Sequence, residues 1–239
     1  MISDVLHIMS ELWVSGVSAH LRERGEATWT AAISHPMVRQ IAEGSLPHAK
    51  FRRYFEQNIL YLGDYARAIA LVLGRAPDLP AANALNRFLN QILATEIPAN
   101  IDFLRRLGGS TEVATDSARM LPVTYCYTRH LLCVCALDNC AAGVAAVLPC
   151  QWSYGELARP LMTSLPADPI YADWIAMFGS AGYSDLVGEI TGLLDRVAGA
   201  AADTDRLAWI FDTSARYELQ FWDMAYGVVA PGGVPHGKD

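Results

Sequence analysis

"PHAKFRRYFEQNILYLGDYARAIALVLG", residues 47–74, decides the fold. Apolar residues return at three- and four-residue steps along its whole length, which is the period of an α-helix and not of a strand. Ser45-Leu46-Pro47 reads as a cap followed by a helix start, and Gly74 closes the run. Phe55, Ile59, Leu62 and Ala66 form an apolar stripe. Beside it, Tyr54, Asn58, Tyr61 and Tyr65 follow at steps of four, three and four, so phenols and an amide point the same way. Two readings fit such a face. It is a polar surface of tyrosines whose hydroxyls meet water, or it is the wall of an internal site.

The same period extends outward in both directions, through 3–22, 28–43, 80–107, 122–148, 149–163, 168–178, 183–200 and 203–227. The breaks carry turn chemistry: Ala76-Pro77-Asp78, Gly108-Gly109-Ser110 and Pro166-Ala167-Asp168-Pro169, the last placing a proline in the first turn of a helix. No strand-like alternation occurs, so the expected class is all-α, a single-domain helical bundle. Residues 1–27 read as an N-terminal helical extension, 28–228 as the bundle and 229–239 as a flexible tail.

Composition narrows the function classes. With 52% hydrophobic residues, 18% charged and a formal net charge of −7, the 239-residue chain carries a large core and no basic footprint for nucleic acid or anionic membrane. "LLCVCALDNCAAGVAAVLPC", residues 131–150, is its longest apolar run, and Asp138 and Asn139 interrupt it short of a membrane span. The N-terminus, with Asp4 and no basic start, does not resemble a signal peptide, so a cytoplasmic location is expected. Five cysteines, at 126, 133, 135, 140 and 150, are an odd set suited to reduced thiols. Di-iron sites in helical bundles need Glu-x-x-His pairs, and the chain has none, so no metal and no cofactor are expected.

Three segments carry candidate chemistry. In "LPCQWSYGELA", residues 148–158, Pro149 suits a first helical turn, which would set Cys150 among free N–H groups that lower a thiol's pKa. The alternative runs one helix through Pro149 and leaves Cys150 as an inert packed residue. Tyr154 shares the face of Cys150, one turn on, and Glu156 is expected to pair with Arg159. In "YELQFWDMAY", residues 217–226, Glu218 sits among Tyr217, Leu219, Phe221 and Trp222. A carboxyl there would hold its proton towards neutrality and serve as acid or base, unless it is a surface group paired with Arg216. In "TYCYTRHLL", residues 124–132, Tyr127 joins an apolar face and His130 reads as a structural hydrogen-bonder.

In this order the segments resemble the TenA family (thiaminase II, aminopyrimidine aminohydrolase). Residues 35–67, "HPMVRQIAEGSLPHAKFRRYFEQNILYLGDYAR", are similar to its N-terminal signature. "TYCYTRHLL", "LPCQWSYGELA", "DPIYADWIAMFG" (168–179) and "YELQFWDMAY" are similar to its later motifs, and the likeness covers roughly residues 30–227. The resemblance implies a haem-oxygenase-like bundle without haem, assembled as a homotetramer or dimer. It implies Cys150 as nucleophile, Glu218 as acid/base, and Tyr61, Tyr127 and Tyr154 as pocket tyrosines. It implies hydrolysis of a C–N bond in an aminopyrimidine derived from thiamin, a thiamin-salvage reaction on a small-molecule partner. Two positions depart from the pattern. Asn58 stands where the family has an aspartate that pairs with the aminopyrimidine edge, and Phe178 where it commonly has another pocket tyrosine. Asparagine forms hydrogen bonds but takes no proton, so the alternative is a non-catalytic or repurposed binder of a pyrimidine- or thiamin-like heterocycle. His35 is expected to orient a helix start rather than to act in catalysis.

Overall fold

The computed structural model describes residues 16–110, 119–199 and 203–228. Among them helix follows helix and no strand occurs. Helices α1 (Val17–Arg24), α2 (Glu26–Ile33) and α3 (Pro36–Glu43) lead into the long α4 (His48–Leu73). α5 (Leu79–Gln91) passes through one π-helical turn, Ile92–Glu96, into α6 (Ile97–Arg106). Then come α7 (Pro122–Leu137), α8 (Cys140–Ala158) with a 3-10 segment at Arg159–Thr163, α9 (Pro169–Gly179), α10 (Ala181–Ala198) and α11 (Thr204–Tyr226). The expected N-terminal extension falls largely, and the expected tail wholly, outside the described residues. Within the former, α1 docks through Ser18, whose N–H and hydroxyl both donate to the Asp195 carboxylate of α10.

The stretch that decided the fold is α4. Both of its inward stripes are buried: Phe55, Ile59, Leu62 and Ala66, and also Tyr54, Asn58, Tyr61 and Tyr65. Burying a large apolar side chain contributes about 1.5–3 kcal/mol, so such a double stripe holds α4 against α5, α6, α7, α8 and α11 together. The turn before it needs Gly44 at φ +69°, a left-handed conformation that closes α3. Ser45 does not cap α4 as expected. Its hydroxyl donates to Glu43, and Pro47 holds the N-cap position without a side-chain bond.

α8 is the axis of the bundle, buried nearly throughout. Small residues let α4 come close: a Cβ on Gly143 would lie 2.5 Å from a Val72 methyl carbon. The sequence reading of 122–148 and 149–163 as two helices divided at Pro149 is overturned here. The division falls at Asp138-Asn139, where the Asn139 side chain accepts from the Ala142 N–H, and the helix then continues through Pro149. Asn139 offers capping chemistry. Val147 and Leu148, just before the proline, offer none, and burial on all sides holds the turn helical. Likewise residues 80–107 form two helices joined at the π-helical turn.

Candidate active site

Three helices meet around Cys150. α8 supplies the thiol, α11 supplies Glu218, and α4 supplies Tyr61. All three side chains are buried, at 6%, 3% and 2% exposure respectively. The thiol lies close enough to the Glu218 carboxyl and the Tyr61 hydroxyl for each to alter its proton affinity. The Tyr127 hydroxyl of α7 donates to Glu218 Oε1 at 2.6 Å, so the carboxyl is held in one orientation. The alternative of a surface Glu218 paired with Arg216 is excluded, since Arg216 pairs with Asp212. Glu156, expected to pair with Arg159, instead pairs with Arg22 of α1.

Placement of Cys150 inside α8 corrects the expected electrostatics. Ten residues separate it from the helix start, beyond the reach of the free N–H groups of the first turn. Burial pushes its thiol pKa well up, and the nearby Glu218 and Glu96 carboxyls push the same way, against a smaller lowering from Tyr61. The resting thiol is protonated. Burial also raises Glu218 to about 7, against opposing hydrogen bonds from Tyr127 and Cys150. A neutral thiol thus faces a carboxyl that exchanges its proton near neutrality.

Pro149 has a local consequence. With no N–H, it cannot bond the Ala145 carbonyl one turn back. The neighbouring carbonyls are tied to other helices: the Tyr65 hydroxyl donates to Val147 at 2.7 Å, and the Ser214 hydroxyl donates to Ala146 at 2.8 Å. His130 Nε2 approaches that Ser214 hydroxyl at 3.1 Å, the structural role its sequence context suggested. These bonds fix the turn that presents Cys150.

Aromatic rings enclose the group. Tyr61 contacts Tyr127 at 4.9 Å between centroids, and Tyr154 stacks on Trp222 at 5.3 Å. Phe178 of α9 packs on Tyr154 at 4.8 Å, and the Tyr54 and Tyr154 hydroxyls hydrogen-bond at 3.0 Å. Asn58, on the same face of α4, donates through Nδ2 to Asn100 Oδ1 at 2.9 Å, and Asn100 donates to the Glu96 carbonyl at 2.8 Å. His35 lies apart: its Nδ1 accepts from the Met37 N–H to start α3, and its Nε2 meets Asp223. Among the described residues no group of three or more His, Cys, Asp or Glu could hold a metal ion.

Sequence reasoning missed Glu96. It sits at the end of the π-helical turn, 3% exposed, and accepts from Gln151 Nε2 at 3.3 Å. Burial and the Glu218 charge raise it to about 7, with the Gln151 bond opposing. A lone acid in the apolar run "ILATEIP", residues 92–98, was the available signal. The added residue of a π-helical turn rotates side chains off the ordinary helical register, so periodicity could not aim it inward.

The family model described as TENA/THI-4/PQQC matches residues 22–228. The chain belongs to the TENA/THI-4/PQQC family. The matched span contains every helix that brings a side chain to Cys150. Among relatives of this TENA/THI-4/PQQC member is a protein of Halalkalibacterium halodurans named aminopyrimidine aminohydrolase. It is 33% identical over 213 residues, covering 87% of this chain and 95% of the relative. A Helicobacter pylori protein of the same name is 31% identical, over 88% and 98% of the two chains. The TenA homologue of P. horikoshii OT3 superposes with a TM-score of 0.80 at 30% identity, covering 89% of this chain and 99% of that one. A heme oxygenase-like domain from Shewanella denitrificans, 16% identical with a TM-score of 0.69 over 87% and 91% of the two chains, shares the fold alone. The architecture is therefore the haem-oxygenase-like bundle that the sequence motifs implied.

Proposed function

We propose that the chain is a TenA-type C–N hydrolase acting on an aminopyrimidine derived from thiamin, with Cys150 as nucleophile and Glu218 as acid and base. The observation that carries this reading is the sheltered approach of the Cys150 thiol to the Glu218 carboxyl. The names of the two relatives at 33% and 31% identity support the substrate class.

The chemistry follows from the proton balance. As the sulfur bonds to an electron-poor carbon of the ring, the Glu218 carboxylate takes the thiol proton, because the thiol holds it too firmly to act as a free thiolate. The carboxyl then returns that proton to the exocyclic amine, which leaves as the C–N bond breaks and an exocyclic methylene forms. Glu218 next takes a proton from water, whose oxygen adds to the methylene carbon. The C–S bond breaks, and the thiolate recovers the proton from Glu218. The sum is water and an aminomethyl compound in, ammonia and a hydroxymethyl compound out. Tyr127 orients the carboxyl throughout, and Tyr61, Tyr154 and Trp222 offer faces to a flat ring.

One observation favours the second reading, a heterocycle binder without turnover. The side chain at the position of the family aspartate is an amide already bonded to Asn100. Single-turnover assays with 4-amino-5-aminomethyl-2-methylpyrimidine decide between them. Hydrolysis by wild type and at least a ~1,000-fold loss in Cys150→Ser are expected. Unchanged hydrolysis in Cys150→Ser overturns the assigned nucleophile, and calorimetric binding with no turnover in wild type establishes the binder.

A further inference from the structure

Next to the Cys150–Glu218 pair lie buried polar atoms with no hydrogen-bond partner among the described residues. Gln151 is 1% exposed and Tyr183 is 4% exposed, yet Gln151 Oε1 and the Tyr183 hydroxyl are both unpaired there. A buried polar group left unpaired is destabilising, so two on one wall point to a partner that arrives from outside. They share one wall. Gln151 and Gly155 are one turn apart on α8, and a Cβ on Gly155 would touch the Tyr183 ring at 3.5 Å. Tyr183, from the first turn of α10, therefore lies along the strip of α8 that carries Gln151. Burial raises the pKa of its hydroxyl well above the ordinary phenol value, and the nearby Glu96 carboxyl pushes the same way.

Glu96 sets the polarity of this wall. Its Oε2 accepts from Gln151 Nε2 at 3.3 Å, which turns the other amide atom, the acceptor Oε1, away from Glu96. The wall thus presents a carbonyl-type acceptor from Gln151 and a hydroxyl able to donate from Tyr183. A ring nitrogen beside an exocyclic amino group presents the complement, one acceptor and one N–H donor. A ring carrying an oxo group and an N–H presents the opposite order. Asn58 is engaged through Nδ2 by Asn100, and Phe178 has no hydroxyl, so neither departure from the family pattern supplies this donor–acceptor pair; the Tyr61 hydroxyl, also without a partner among the described residues, lies on the side of the thiol.

We infer that Gln151 and Tyr183 read the amino-bearing edge of the heterocycle, with Glu96 as the positioning residue that fixes the Gln151 amide. The inference rests on the hydrolase reading above and names what selects its substrate.

The test uses Tyr183→Phe and Gln151→Met in the full chain, with Glu96→Gln as a third variant. Calorimetry measures binding of 4-amino-5-hydroxymethyl-2-methylpyrimidine and of its 4-oxo analogue, while turnover is followed on the aminomethyl substrate. Wild type should prefer the amino compound by at least about tenfold. Tyr183→Phe and Gln151→Met should each remove most of that preference, raising KM about tenfold with kcat changed less than about threefold. Glu96→Gln should narrow the preference without abolishing turnover, because its amide permits the Gln151 side chain to turn. Tyr183→Phe removes a hydroxyl with no partner among the described residues, so its thermal midpoint should not fall, which separates recognition from folding. An unchanged preference in both Tyr183→Phe and Gln151→Met, with wild type active, overturns the inference alone. Wild type that binds neither compound overturns this inference and the hydrolase reading together.

Discussion

Cys150 and Glu218 illustrate how burial reverses an expectation based on local sequence. A cysteine directly after a proline suggested a thiol activated by a helix start. In the fold the proline lies within α8, and the group that meets the thiol is a carboxyl from another helix. That exchange has a measurable signature. In the proposed mechanism Glu218 accepts the thiol proton only when ionised, so kcat/KM should rise with pH through an inflection near the value of about 7 to which burial lifts it. Glu96 shifts to the same range and interacts with Glu218, so the inflection belongs to the coupled pair. Glu218→Gln should lower kcat/KM by about 100-fold or more and flatten that limb. A pH–rate profile of the variant with the limb intact would assign the inflection to another group. The burial of Cys150, Glu218, Tyr127 and Tyr154 was legible because each shares a helix face with apolar residues, whereas Tyr61 lies on a face of phenols and an amide that only packing could aim inward. Glu96 and Tyr183 were not legible, since a π-helical turn displaces one and the other lies at a helix start, where the period is too short to define a face.

At the level of elements, the site depends on how closely α4 and α8 approach. Gly143 rests against Val72, and adding one methyl group there would force a Cβ to within 2.5 Å of a Val72 carbon. Gly143→Ala should destabilise the protein by about 1–3 kcal/mol through overpacking, although alanine is the better helix former. Val72→Ala removes the opposing methyls, so the double variant should recover part of the loss. Denaturant midpoints of the four proteins in that cycle measure the coupling, and strictly additive effects would show that the two helices do not meet there. The same contact explains why the helix division at Asp138-Asn139 matters. It lets α7 turn back and leaves α8 free to run through the centre, with Tyr65 and Ser214 binding the carbonyls near Pro149 from either side.

Across the whole molecule, two buried carboxyls make stability depend on pH. Glu96 and Glu218 are both raised from 4.5 to about 7, so between those values the folded chain holds more protons than the unfolded one. Their contribution is full below about pH 4.5, declines as pH rises through about 7, and is flat above. Buried His35 and half-buried His130 are lowered by desolvation and act in the opposite sense below their ordinary value of 6.5. The informative comparison is therefore wild type with Glu96→Gln: urea midpoints at about pH 5 and about pH 8 should differ less in the variant. An equal difference in both would mean that Glu96 is ionised at both pH values. The sequence by itself determined the helical class, the apolar stripe of α4, and the motif order that marks the family, because each is written in a period or spacing along the chain. Only the tertiary structure decided that Pro149 stays inside a helix, that the tyrosine face of α4 turns inward, that Glu218 lies beside the thiol, and that Glu96 comes close to both. Those outcomes depend on dehydration and on side chains from separate helices, and neither quantity exists until the helices pack.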